Sequence, residues 1–130
     1  MDDIRTWLRA AADEAYAYVT TTGRVTGEPH EIEIWFAADG ATVYFLSGGR
    51  DRADWVRNLR RDARVTVRIA DHTVAGTARV VSADDPEDGV ARQLVWRRYT
   101  TAERDLTHWR DTALPIAVDL DARQRGAATS

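Results

Sequence analysis

Between residues 16 and 47 three β-prone runs follow one another with very little chain between them. "YAYVTTTG" gives way to the turn-forming "RVTGEP", which holds a glycine and a proline. "HEIEIWFA" follows and alternates: His30, Ile32, Ile34 and Phe36 share one face, Glu31, Glu33 and Trp35 the other. "ADG" then turns the chain into "ATVYFLS". Connections this short join antiparallel neighbours, because a parallel pair needs a crossover of about a dozen residues or more. A doubly wound parallel sheet is therefore disfavoured, and the spacing predicts a three-stranded antiparallel meander over residues 16–47.

The remaining chain extends the pattern. "RVTVRIA" and "TVAGTARVVSA" read as a fourth and fifth strand joined across Asp71 and His72. Gly76 inside the fifth marks a bulge or a sharp barrel bend. "LPIAVDLD" supplies a sixth strand with Ile116, Val118 and Leu120 inward. Between the strands lie helical spacings. Ile4, Trp7, Leu8, Ala11 and Ala15 predict a helix over residues 3–15, with Asp2 and Asp3 at its positive end. Trp55, Val56 and Leu59 form the core side of a helix near 52–61. Asp85 and Pro86 start a third, with Val90, Leu94 and Val95 as core candidates. "TTAE", Thr100 to Glu103, has capping-box spacing and predicts a short helix carrying Leu106 and Trp109. The expectation is a mainly β (α+β) domain over residues 1–122, a small closed or split β-barrel of six antiparallel strands with flanking helices, and a flexible tail over 123–130.

Composition removes several chemistries. All 18 basic residues are arginine, so Schiff-base chemistry and a phosphate-loop lysine are excluded. Without cysteine there is no disulfide, thiolate nucleophile or cysteine-bound metal, and three scattered histidines predict no metal site. No apolar run approaches ~20 residues and no signal-peptide stretch opens the chain, so the expectation is a cytoplasmic protein without an integral membrane segment. Net charge is −3, yet residues 50–68 hold seven arginines against three aspartates, a net of +4. A local basic patch in an acidic protein suits a small anionic ligand better than a nucleic acid.

The patch begins at "LSGGRDRADWVRNL", residues 46–59. Gly48 and Gly49 allow close backbone approach ahead of a helix N-terminus, and Arg50 and Arg52 can pair with a phosphate. The same residues also suit an ordinary turn, with Asp51 or Asp54 capping the helix. Glu31 and Glu33 are paired carboxylates of the kind that face solvent or bridge to a cation, and His30 leads a strand after a proline. No serine-nucleophile or metalloprotease motif is present, so any reactive group would come from a bound cofactor.

In combination, "TTTGRVTGEP", "WFAADGATVYFLSGG", "WVRNLRRDARVTVRI" and "HW" ahead of "LPIAV" resemble the deazaflavin-dependent nitroreductase family. That family lies within the flavin-binding split-barrel group typified by pyridoxamine 5'-phosphate oxidase. The resemblance runs from about residue 18 to residue 120. It implies a homodimeric split β-barrel that binds coenzyme F420 and transfers a hydride from the reduced deazaflavin to a small electron-poor acceptor. The cofactor-binding positions it implies are Arg24, Val25 and Thr26, then His30, Glu31, Ile32 and Trp35. Leu46, Ser47, Gly48 and Gly49 follow, with Arg50 and Arg52 as phosphate anchors and Asp54, Trp55, Val56, Arg57 and Asn58 from the helix. Trp35 and Trp55 also suit a core role. Ser47 and Tyr99 are the hydroxyls proposed as proton donors. The polyglutamate tail of the coenzyme accounts for the basic stretch. Relatives carry a lysine near the first hairpin or the glycine pair, where Val25 and Gly48 stand here. "YTTAERDLTHW" retains one tyrosine where nitroreductase members have several, which implies an enone or quinone acceptor in place of a nitro drug. FMN is the alternative cofactor, and a cofactor-binding module without turnover is the alternative from another class.

Overall fold

The structure is a computed structural model and describes residues 4–121. The capping pair Asp2 and Asp3 and the tail at 123–130 lie outside the described residues. Helix α1 (Ile4–Ala11) leads into strands β1 (Ala17–Thr22), β2 (Pro29–Ile34), β3 (Ala37–Asp39) and β4 (Thr42–Ser47). A 3-10 turn at Arg50–Arg52 precedes α2 (Asp54–Arg61). Then come β5 (Arg64–Ile69), β6 (His72–Val80), α3 (Pro86–Tyr99), α4 (Thr107–Thr112) and β7 (Leu114–Leu120). One curled sheet runs β2-β1-β5-β6-β7-β4-β3, with every pairing antiparallel. It is the half-barrel of a split-barrel fold.

The predicted meander does not form, and there are seven strands where six were expected. β2 pairs with β1, but β4 pairs with β7 and β3 at the opposite edge. The break falls at Trp35 and Phe36. The Phe36 N–H donates to the Tyr99 hydroxyl at 3.2 Å, and Arg98 donates to the Phe36 carbonyl. With both backbone groups satisfied by side chains from α3, the ladder stops there and the β3–β4 hairpin crosses to the far edge. No local pattern in "HEIEIWFA" announces partners more than sixty residues away.

Alternation places Val43 and Phe45 of β4 and Ile116 and Val118 of β7 in the barrel core, each fully buried. The core is closed by Ile4 and Leu8 of α1 and by Trp55, Val56 and Leu59 of α2. The opposite faces of β4 and β7 are buried as well. Tyr44, Leu46 and Ala117 pack with Ala91, Val95 and Tyr99 of α3. Residues 91, 95 and 99 are spaced i, i+4, i+8, one face of a helix. Of the core candidates named for α3, Val95 is fully buried and Leu94 partly so, whereas Val90 is 43% exposed. Ala91 and Tyr99 take its place, because the face of α3 that meets the sheet runs through positions 91, 95 and 99.

Two further expectations change. α1 ends at Ala11, so Ala15 stands exposed beyond it. The "TTAE" segment makes a turn instead of a helix start: Thr101 Oγ1 accepts from Arg104 N–H at 2.9 Å, and α4 begins only at Thr107. Asp105 does the local bonding there, accepting from Thr107 N–H at 3.0 Å and Thr107 Oγ1 at 2.6 Å. At the start of α3 the expected pattern is present, with Pro86 in the first turn and Asp85 accepting from Glu87 N–H. At Gly76 the pairings of β6 with β5 and β7 both run in unbroken register, so the glycine marks a close approach at the changeover between partners and not a bulge.

A charged network pins β6 to α3 and β7. Arg79 bonds Glu87 at 2.6 Å and Asp119 at 2.7 Å, and the buried Tyr44 hydroxyl donates to Glu87 at 2.6 Å. Hydrogen bonds from Arg79 hold both carboxyls below their ordinary values. Burial, reinforced by Glu87, pushes the Tyr44 hydroxyl up. Carboxyls lowered in the folded state contribute stability above their unfolded values of about 4 and lose it as pH falls through the folded values. Thermal melts taken from neutral pH down to about pH 3 should therefore show a steep acid loss that Glu87→Gln flattens. An unchanged pH slope in Glu87→Gln would remove the network from the acid response.

Candidate active site

The β1–β2 hairpin folds over the N-terminal half of α2 and leaves a cleft of about 440 Å³ between them. Gly23, Arg24, Val25, Thr26, His30, Glu31, Ile32, Asp54, Trp55 and Asn58 line it. Asn58 joins the two walls. It is 3% exposed and its Oδ1 accepts from Arg24 N–H at 3.2 Å and from the Arg24 guanidinium at 2.8 Å. Its Nδ2 donates to Thr21 Oγ1 at 3.1 Å. Arg24 also reaches Asp54 at 3.1 Å, so a carboxylate expected to cap α2 is drawn to the hairpin instead. Gly23 lets the hairpin close tightly: a Cβ there would stand 2.7 Å from His30 Nε2, on an exposed side chain that would have to turn aside, and 3.0 Å from the Glu28 carbonyl oxygen. Val25 at the tip is 86% exposed, an apolar side chain held in solvent beside the cleft.

A second recess follows along the chain, formed by residues 48–53. Arg50 adopts the left-handed region with φ of 58°, which is strained for a residue with a side chain. The Ser47 hydroxyl donates to the Arg50 carbonyl at 3.1 Å and helps hold that turn. Neither the 3-10 turn nor α2 has a side-chain cap at its N-terminus. An uncapped helix start behind glycines, flanked by exposed Arg50 and Arg52, suits a phosphate. Of the seven arginines between 50 and 68, Arg64 is paired with Asp121 and Arg68 with Glu31. Arg50, Arg52, Arg57, Arg60 and Arg61 are exposed and have no ion-pair partner among the described residues. The cationic surface around α2 is therefore uncommitted.

The third recess is apolar, about 460 Å³, and lined by Tyr16, Glu33, Ile34, Trp35, Leu106 and Trp109. Trp35 stacks on Tyr99 with centroids 4.5 Å apart and planes 3° apart. Trp109 meets Trp35 edge-on at 5.8 Å. Gly48 connects this recess to the glycine loop, because a Cβ on Gly48 would lie 3.5 Å from Trp109 Nε1. The three recesses thus follow one another around the start of α2.

Most of the residues singled out from sequence lie along this path, but with different duties. Arg24, Val25, Thr26, His30, Glu31, Ile32, Asp54, Trp55 and Asn58 share the hairpin cleft. Trp35 belongs to the apolar recess. Trp55 is 8% exposed and T-stacked on Phe45, so it serves the core and offers the cleft only an edge. Leu46, Ser47 and Val56 are buried and turn their side chains into the protein. Ser47 and Tyr99 do not fit a proton donor. The Ser47 proton goes to its own loop, and the Tyr99 hydroxyl donates to the Ala15 carbonyl at 2.9 Å. Burial raises the Tyr99 hydroxyl further. Glu31 bridges to Arg68 at 3.5 Å and Glu33 accepts from Tyr18 at 2.8 Å, so the carboxylate pair is divided between structural partners. Sequence reasoning missed Gly23, Tyr16, Ile34, Leu106 and Trp109. Only the glycine directly after the threonine run and the "HW" pair carried a visible signal. Among the described residues no cluster of histidine, aspartate and glutamate is arranged to hold a metal, and no helix is long and apolar enough to cross a membrane.

A half-barrel with a cleft beneath its first hairpin and an uncapped, arginine-flanked helix start is the architecture of the split-barrel class. Residues 9–121 match the F420H(2)-dependent quinone reductase family, and the chain belongs to it. It is an F420H2-dependent oxidoreductase, and its cofactor is coenzyme F420. Solved structures share the fold at low identity. An F420 reductase is 20% identical with a TM-score of 0.62, over 88% of this chain and 92% of that one. A candidate pyridoxamine 5'-phosphate oxidase from Listeria innocua is 17% identical with a TM-score of 0.66, over 91% and 94%. A candidate 5-nitroimidazole antibiotic resistance protein from Bacteroides thetaiotaomicron is 15% identical with a TM-score of 0.71, over 92% and 84%.

Proposed function

We propose that the chain reduces a small electron-poor carbonyl compound, a quinone or an enone, with the hairpin cleft and glycine loop holding the cofactor and the apolar recess holding the acceptor. The observation that carries this reading is the sequence of recesses around α2: polar cleft, uncapped helix start, aromatic wall. When bound, reduced F420 supplies a hydride, which the acceptor takes up together with one proton to complete a two-electron reduction. The chain's own part is to bind, orient and dry the site. Arg24 is fixed by Asn58 and Asp54, so its guanidinium is already oriented before a ligand arrives. Arg50 and Arg52 stand beside the helix start to take phosphate. Trp35, Leu106 and Trp109 exclude water from the acceptor's side. With the Ser47 and Tyr99 hydroxyls donating to backbone carbonyls, the proton comes from solvent or from the Tyr16 hydroxyl at the mouth of the recess.

Titration of the protein with F420 and separately with FMN, followed by cofactor fluorescence, tests the reading, and an acceptor screen with F420H2 completes it. Tight F420 binding and quinone-dependent oxidation are expected; preference for FMN, or binding without turnover, would defeat it. The free arginines sharpen the distinction. Arg57→Ala, Arg60→Ala and Arg61→Ala combined should weaken F420 binding about tenfold, at about 0.5 kcal/mol per exposed charge, through the coenzyme's polyglutamate tail. FMN, which has no such tail, should bind the triple variant and the parent alike.

A further inference from the structure

The apolar recess contains a polar group, set against its aromatic wall, that the fold leaves unused. Trp109 sits on α4 with its ring edge against Trp35, and its indole N–H has no hydrogen-bond acceptor among the described residues. Nε1 lies next to Gly48, at the boundary between the recess and the glycine loop. The wall it works against is rigid. Trp35 is held between the Tyr99 ring at 4.5 Å and the Arg104 guanidinium at 4.9 Å, and Arg104 is itself tied to the Tyr99 carbonyl at 2.7 Å. Trp35 therefore offers the recess a fixed edge. Glu33 is the one charged side chain lining the recess, and it stays there by accepting from Tyr18. Tyr16, whose hydroxyl also has no partner among the described residues, is 42% exposed and stands at the solvent side.

We propose that Trp109 is the specificity-determining residue of the acceptor site: its indole N–H donates to a carbonyl oxygen of a neutral acceptor held at the edge of Trp35, while Glu33 turns anionic acceptors away. The inference rests on the reading of the recess as the acceptor site. A donor in an apolar recess gains most from a ligand that can accept from it. Position matters as much as chemistry. Because Nε1 borders the glycine loop, a carbonyl bound to it is held at the end of the recess nearest the proposed cofactor site. A carboxylate at the lining repels a sulfonated or carboxylated analogue of the same shape.

The hydrogen bond can be read without cofactor. In a 15N–1H spectrum the five tryptophans give five indole signals, and the Trp109 signal is identified by its loss in Trp109→Phe. Adding menadione should shift that signal downfield. A Trp109 signal that stays in place while the other indole signals move would overturn the proposal and leave F420 dependence intact. Kinetics give the second arm. Trp109→Phe should bind F420 like the parent by fluorescence titration, and its kcat/KM for menadione should fall about tenfold, the loss of one hydrogen bond. The parent should prefer menadione over 1,2-naphthoquinone-4-sulfonate, and Glu33→Gln should narrow that preference by about tenfold. Equal use of both quinones by the parent, or an unchanged kcat/KM in Trp109→Phe, counts against it. Failure of the parent to bind F420 would instead strike at the proposed function itself.

Discussion

Gly76→Val should lower the unfolding midpoint by roughly 4–12 °C, the equivalent of about 1–3 kcal/mol for a domain of this size. Gly76 sits where β6 changes from pairing with β5 to pairing with β7, opposite Val65 on one side and Leu120 on the other. A Cβ built there would stand 2.8 Å from the Asp119 carbonyl oxygen, 2.8 Å from Val118 Cγ1 and 3.2 Å from Leu120 Cα. Two of those three atoms are backbone and cannot rotate aside, and the third belongs to a fully buried valine. The only relief is to move β7 away, which opens the barrel core around Ile116 and Val118. Gly76→Ala should show the same sign with a smaller shift. Differential scanning calorimetry decides it, and an unchanged midpoint in the valine variant would mean that β7 is not held as described.

Asn58→Ala should be felt in both stability and cofactor binding. Its side chain accepts from Arg24 twice and donates to Thr21, and Asn58 itself is 3% exposed. Truncation strands a nearly buried threonine hydroxyl and the Arg24 N–H, at a cost of about 1–3 kcal/mol. It also frees the hairpin from α2, so Arg24 must be ordered when ligand binds. F420 affinity should fall by about tenfold or more, the cost of immobilising one long side chain and its loop. Chemical denaturation and fluorescence titration on the same variant separate the two effects. A variant that loses stability but binds F420 normally would reduce Asn58 to a structural role.

The strands, the helix beginning at Asp85–Pro86 and the buried face of α2 were legible because period-two and period-3.6 patterns are imposed locally by backbone geometry. So was the combination of glycine pair, arginines and tryptophan that points to a cofactor. The pairing partners were not. Nothing in residues 29–47 distinguishes a meander from two strands at opposite edges, since the cause is the pair of α3 side chains that occupy the backbone of Phe36. The duties of single residues followed the same division. Ser47 and Tyr99 carry hydroxyls that look chemical in a sequence, and each is used up by a carbonyl that only the folded chain brings near.

By itself the sequence determined the secondary-structure alphabet, the absence of lysine and cysteine chemistry, and the clustering of positive charge near α2, because composition and periodicity are properties of neighbours along the chain. Tertiary structure decided which edge each strand joined, that Asp54 would hold Arg24 in place of capping its helix, and that Trp109 would stand at Gly48. Those outcomes depend on contacts between residues 30 to 77 positions apart. Their free energy exists only once the barrel has closed and the groups involved have lost their water.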